Sequence, residues 1–309
     1  MLCDWEVQTY EYWVQLLERE AHNASAPKSG LKMQDSYHFY DARPTQALWW
    51  SPFVQSFRQL PPMQEPLFSL NQTAATRGLT KALWGVGLRA PSINVPKYLL
   101  YLQDRARGLG VEILKADLPV DGGLEKALAA AEQVMTAKGR GGVDCFVNAT
   151  GLGARKVCGD EAMHPIRGQT VLVKGEAIAT RTRTGANYSY CIPRPGSGTT
   201  ILGGVKEKGN WNGEIDDQTT RQILEENRNL APELLTGADG GFEVISVQCG
   251  FRPGREGGPR LERESVGARR VVHAYGHGGA GYQQSVGSAR LVVRLVTEST
   301  GGSHVFSRL

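Results

Sequence analysis

The sequence predicts an α/β fold in which a doubly wound domain is interleaved with an antiparallel-sheet domain. Three observations predict it. Helix and strand patterns alternate over residues 95–149, as in crossover units. Short strand patterns broken by glycine and proline fill residues 164–252 and suit an antiparallel sheet. Near the end, Arg270 to Val296 reads as strand, glycine turn, helix. The boundaries that follow are 95–163 with 256–309 for the doubly wound domain, and 1–94 with 164–255 for the antiparallel one.

Composition sets the class. A chain of 309 residues can bury a large core, and 40% hydrophobic with 21% charged residues is ordinary for a globular protein. A net charge of +4 gives no case for nucleic acid. No run of 18 apolar residues occurs, so no membrane span is expected, and MLCDWEVQ does not read as a signal peptide. The five cysteines are scattered and lack a CxxC pair. That pattern suits reduced thiols inside a cell and argues against a disulfide frame or a metal site.

Element by element, Asp4 is expected to cap a first helix with Tyr10, Trp13, Val14 and Leu17 on its buried face. Residues 21–36 read as irregular. Residues 48–62, rich in aromatics and ending in two prolines, read as core and a rigid loop. Residues 78–90 alternate apolar residues with glycine and read as strand. Asn94 or Val95 opens a helix with Pro96 in its first turn and a stripe of Val95, Tyr98, Leu99, Leu102 and Leu109. Gly108 and Gly110 end it, and Val111 to Leu114 follows as strand. Asp121 caps a helix through Met135, with Leu124, Leu128 and Ala131 in register. Val143 to Ala149 is a strand ending at Thr150 and Gly151, where open α/β sheets place ligands.

Strands are then expected at 169–174, 188–194, 200–205 and 243–251, with a helix from Asp217 to Leu230. Val271, Val272, Ala274 and Tyr275 form a last buried strand. Gly276, Gly278, Gly279 and Gly281 let the chain turn sharply. A helix from Tyr282, with Val286, Ala289, Val293 and Val296 on one face, would offer free N–H groups to an electron-rich ligand. GHGGAG fits the dinucleotide pattern G-x-G-x-x-G literally, but that fingerprint needs a following strand with an acidic residue.

Taken together and in this order, DCFVNATGLGARK, PIRGQTVLVK, GFRPGREGGPRLERE and VVHAYGHGGAGYQQSVG resemble the FAD-dependent D-amino-acid oxidase family, which includes the D-aspartate oxidases. CIPRPGSGTTILGGVKEKGNW joins them with gaps, and the resemblance covers most of the chain from Trp5 onward. It implies FAD as cofactor, with Thr150, Gly151, Gly278, Gly279, Gly281 and Tyr282 against it, Gln283 at the flavin edge and Leu118 contacting the adenine side. It implies that Arg252 holds the substrate α-carboxylate with help from Tyr190. Arg252 follows an apolar strand, where a guanidinium fork suits a carboxylate.

Lys206 departs from the fungal pattern, which has a second active-site tyrosine there. Animal D-aspartate oxidases carry an arginine at this position, so an acidic D-amino acid is one option and a solvated hairpin tip the other. His277 is assigned to structure. The implied partners are a D-amino acid and oxygen; the products are a 2-oxo acid, ammonia and hydrogen peroxide. Glycine or sarcosine oxidation fits the motifs less well.

Family members open with a βαβ unit of about 30 residues or more, whose glycine turn binds the FAD pyrophosphate, and none precedes Trp5. The doubly wound domain is therefore expected to be N-terminally incomplete. The alternative function is a truncated member that does not retain FAD and is not catalytic. Ser307-Arg308-Leu309 resembles a peroxisomal address and so implies the import receptor. The short stretch from Glu264 to Ala268 makes the dimer mode of yeast members doubtful.

Overall fold

The computed structural model describes residues 1–23, 25, 28–76 and 81–299. Ser307-Arg308-Leu309 and the start of the strand expected from Gly78 lie outside them. The chain runs α1 (Leu2–His22), β1 (Leu31–Tyr40), β2 (Gln55–Leu60), α2 (Leu67–Thr76), β3 (Trp84–Ile93) and α3 (Val95–Gly108). It continues with α4 (Gly123–Ala137), β4 (Phe146–Asn148), α5 (Ala154–Val157), β5 (Met163–Lys174), β6 (Thr180–Thr184), β7 (Ser189–Arg194), β8 (Thr199–Gly203) and β9 (Glu207–Lys208). It closes with α6 (Asp217–Asn227), β10 (Val244–Arg255), β11 (Arg260–Val266), β12 (Arg269–Tyr275) and α7 (Ser285–Ser299).

Two sheets carry the molecule. The large one has the order β10-β5-β8-β7-β6-β1-β3-β2, with β9 beside β5. All its pairings are antiparallel except β1 with β6. The small one runs β11-β12-β4, with β12 and β4 parallel. On one face of the large sheet, Val171, Val173, Cys191 and Leu202 meet Ile223 of α6 in a closed core. Side chains alternate along a strand. Tyr190 and Ile192, flanking Cys191, therefore point to the opposite face.

Several expectations are corrected at the ends of elements. Asp4 lies within α1 and pairs with the N-terminal ammonium at 2.9 Å rather than capping the helix. The buried face of α1 is Trp5, Thr9, Trp13, Leu16 and Glu20, because α7 and α3 cover that side. Trp13 Nε1 donates to the Tyr98 hydroxyl at 3.0 Å, and the rings meet edge to face, an arrangement worth about 1 kcal/mol beyond burial. Residues 31–36 belong to β1, since both neighbouring strands pair with it. The α4 N-cap is Gly122 rather than Asp121, and the α6 cap is Asp216, which accepts from the Thr219 N–H at 2.7 Å.

Two corrections concern burial. The expected strand at 111–114 pairs with nothing among the described residues. Val111 and Ile113 there are about half exposed, as are Leu99 and Leu102 of the expected α3 stripe; Tyr98 and Tyr101 are buried instead. Residues 48–62 form edge strand β2 and an exposed aromatic strap: Leu60 is core, as expected, but Trp49 is 41% and Phe53 51% exposed.

The helix expected from Tyr282 begins at Ser285, after a short 3-10 turn at Gly278–Ala280. Its first amides have partners within the chain. The Thr9 hydroxyl of α1 accepts from the N–H groups of Val286 and Gly287 at 3.2 and 3.3 Å. Gly287 lies against the Trp5 backbone with no room for a Cβ, so Gln284, Gly287 and Ser288 form the buried face and Ala289 is exposed. Among the described residues no helix is long and apolar enough to cross a membrane.

Candidate active site

The site forms where β10, the end of β4 and the glycine turn converge on the sheet face away from α6. Arg252 pairs with Ile166 of β5, and its side chain lies flat across the sheet. Gly168 makes this possible, because a Cβ there would overlap the guanidinium. Gly203 does the same for Tyr190, whose ring covers it. Glycine inside a strand often marks such a close approach. Across this glycine floor the Arg252 Nη2 donates to the Tyr190 hydroxyl at 3.4 Å, while Nη1 donates to the Val205 carbonyl at 3.3 Å.

Arg167, Arg181, Arg183, Arg255, Arg260 and Arg269 each pair with a carboxylate. Arg252 is half-buried, and among the described residues it has only the two neutral partners just named. A partly desolvated guanidinium with neutral neighbours is poised for an anion that takes both prongs. Burial raises the Tyr190 hydroxyl above its ordinary value, with Arg252 opposing that shift, so Tyr190 keeps its proton and can donate.

The glycine turn closes on the same place. Gly254 bridges His277, and the Gly278 backbone approaches the Gly254 Cα to within 4.0 Å of where a Cβ would sit. A Cβ on Gly279 would touch the Arg252 Cδ at 3.5 Å, and one on Gly151 would touch Pro253 at 3.9 Å. Gly151 (φ +57°) and Gly278 (φ +56°) both adopt the left-handed conformation that favours glycine.

A polar chain holds this junction. Arg255 donates to Asp160 at 2.8 Å, Tyr275 donates to Asp160 at 3.0 Å, and Arg260 donates to the Tyr275 hydroxyl at 3.0 Å. His273 lies between Asn148 at 3.1 Å and Glu264 at 2.9 Å. Burial, then Arg260, lowers its pKa.

Of the residues expected at a site, Arg252, Tyr190, Gly151, Gly278 and Gly279 are thus brought together. Gly281 follows in the same turn, with open space around it to 4.0 Å. Thr150 lies at the end of β4 and bonds to Asn148 at 2.8 Å. Tyr282 and Gln283 leave the turn to line a cavity of about 470 Å³ between α1, the aromatic strap and the sheet. Leu118 sits apart, 43% exposed in the run after α3. Lys206 is exposed, its ammonium 4.2 Å over the Tyr188 ring.

Gly168, Gly203, Ile192 and the strap residues Trp49 and Trp50 were not singled out from sequence. Glycines inside strand patterns were the available signal for the first two. For the strap the aromatic richness of residues 48–62 was the signal, and it did not show that Trp49 and Trp50 would line a cavity with strands far along the chain.

The turn fits a flat, polar cofactor. Gly281 has no atom closer than 4.0 Å to where a Cβ would sit, and the buried His277 Nε2 beside it has no hydrogen-bond partner among the described residues. His277 also contacts the Trp5 ring at 6.2 Å, and burial lowers its pKa.

The glycine turn thus faces an Arg–Tyr pair on an antiparallel sheet, an arrangement suited to a flat cofactor beside an anionic group. The family of FAD dependent oxidoreductases (DAO) matches residues 2–295, and the chain belongs to it. It is 32% identical to the D-amino-acid oxidase of Schizosaccharomyces pombe over 92% of this chain and 76% of that protein. It is 28% identical to the D-aspartate oxidase of Homo sapiens, covering 90% of this chain and 73% of that one. In fold it is similar to the glycine oxidase of Bacillus cereus, with a TM-score of 0.66 at 15% identity, covering 96% of this chain and 82% of that structure.

Proposed function

We propose that the protein catalyses FAD-dependent oxidative deamination of D-amino acids to 2-oxo acids, with ammonia and hydrogen peroxide as further products. The observation that carries this reading is the half-buried Arg252, which among the described residues has neutral partners only and lies against the glycine turn. Relatives named D-amino-acid oxidase and D-aspartate oxidase support the substrate class.

FAD, when bound, would supply the electron sink for the substrate Cα hydride and the reactivity towards oxygen. Thr150, Gly151, Gly278, Gly279, Gly281 and Tyr282 are proposed to hold it, with Gln283 at its edge and Leu118 towards its adenine end. Arg252 takes the substrate carboxylate through two N–H groups and Tyr190 adds a third donor. Because Tyr190 keeps its proton, this clamp orients the substrate rather than abstracting a proton. Fixing the carboxylate leaves the Cα–H one direction to point, a gain in proximity and orientation.

The division of labour between residues 1–94 with 164–255 for substrate and 95–163 with 256–309 for cofactor is part of the same proposal. So is the peroxisomal address, which rests on the tripeptide alone and is tested by deleting it from a fluorescent fusion. The activity test is the visible spectrum of the purified protein with FAD. Bleaching without air by a D-amino acid, and not by its L-enantiomer, is the expected result. Failure to retain flavin, or equal bleaching by both enantiomers, would refute the proposal.

A further inference from the structure

We propose that the cavity between the aromatic strap and the sheet receives an aromatic side chain of the D-amino acid, and that its walls select against acidic substrates. This rests on the oxidase reading above and specifies its substrate.

Position comes first. Thr182 of β6 pairs with Tyr190 of β7 and with His38 of β1, which places the three side chains in one row across the sheet. Thr182 and His38 line the cavity. Neighbouring strands are about 4.8 Å apart. The Tyr190 ring lies over Gly203 of β8 and the Arg252 guanidinium over Gly168 of β5, so a carboxylate held between them is about two strand spacings, roughly 10 Å, from Thr182, and a long side chain is what extends from it towards the cavity. Ile192, two residues along from Tyr190 on the same face, is part of the wall, and Tyr282 and Gln283 close it from the glycine turn.

Size and chemistry then decide the occupant. The volume of about 470 Å³ lies within the range of small-molecule pockets, roughly 300–1,000 Å³. Trp49, Trp50, Phe53 and Tyr10 supply aromatic walls. Trp50 also packs on His38 at 5.5 Å and Phe57 at 5.8 Å, and Trp49 packs on Phe53 at 6.4 Å. Large aromatics left half exposed at a sheet edge mark a surface that covers something apolar.

Among the lining residues Glu6 alone carries a formal charge, and it already accepts from Gln284 at 3.0 Å. His38 is kept neutral by burial, which lowers its pKa to about 4. Lys206, the cation that would suit an acidic side chain, is outside the cavity on the Tyr188 ring. A second carboxylate placed here would lose water, gain no cation and meet Glu6, which is strongly unfavourable.

The test compares kcat/KM of the flavin-loaded protein for D-tryptophan, D-phenylalanine, D-alanine and D-aspartate. Discrimination of D-tryptophan over D-aspartate on the order of 100-fold or more is expected. Ala90 of β3 lines the cavity, so Ala90→Trp should fill it. Both Ala90→Trp and Trp50→Ala should lower the ratio of D-tryptophan to D-alanine kcat/KM by about tenfold. Tryptophan emission gives a reading independent of turnover: D-phenylalanine should change it in the parent protein and less so in Trp50→Ala. D-Aspartate as the best substrate, or an unmoved ratio in both variants, would overturn the pocket. Oxidation of D-alanine without any response to aromatic substrates overturns the pocket alone. Emission changes without oxidation of any D-amino acid overturn the oxidase reading and leave the pocket standing.

Discussion

Replacing Gly203 with alanine should damage substrate binding without altering any group that contacts substrate. Gly203 has no left-handed φ, so alanine suits its backbone, and the whole effect comes from the new methyl group. That methyl would overlap the Tyr190 ring and hydroxyl, closer than real Cβ contacts come. The ring is 9% exposed and the strand pair beneath it is fixed, so the ring must swing off the floor by roughly 1 Å or more.

A displacement of that size costs about 10- to 100-fold in rate when it misplaces a positioning group. Overpacking adds about 1–3 kcal/mol of destabilisation. The assay is kcat/KM for a D-amino acid at measured flavin content, for Gly203→Ala, Tyr190→Ala and the double variant. Gly203→Ala should fall by about 10- to 100-fold with most of the change in KM. In the Tyr190→Ala background the same methyl meets no ring, so its further cost should be within about 0.5 kcal/mol. Equal losses in both backgrounds, or no loss in the parent, would refute the glycine floor.

Arg252→Lys keeps the charge and loses the fork, so kcat/KM should fall by about 100-fold through KM; an unchanged KM would remove Arg252 from the carboxylate. Gly287→Ala forces the α1–α7 pair apart at Trp5 and should cost about 1–3 kcal/mol, read as a Tm lower by several degrees. His38 is lowered to about 4, so between that value and its ordinary 6.5 the unfolded chain binds the extra proton. Stability is then full above pH 6.5 and is lost as pH falls towards 4, by at most about 3 kcal/mol. Urea midpoints should show this slope in the parent and a flatter one in His38→Gln, and equal slopes in the two proteins would contradict it.

The sequence by itself carried the parts of this protein that are local. The strand at 269–275, the glycine turn, the helix after it and the alternating strands of the middle section all appear in periodicity and turn chemistry. Arg252 and Tyr190 were legible through motif resemblance, because each lies in a continuous signature. What periodicity could not decide was which neighbour would cover each face. Leu99 and Leu102 have a buried pattern yet lie open, and the strand expected at 111–114 finds no partner among the described residues. A hydrogen-bond ladder needs a second strand that no local pattern supplies.

Tertiary structure alone brought residues 49–53, β1, β6 and β7 around one cavity, since their contacts span well over a hundred residues of chain. It also gave the amides of Val286 and Gly287 to Thr9, and Gly168 and Gly203 to the Arg–Tyr clamp. These are consequences of side chains meeting across the fold. Residue type along the chain says what each group can bind, and packing decides which partner it finds.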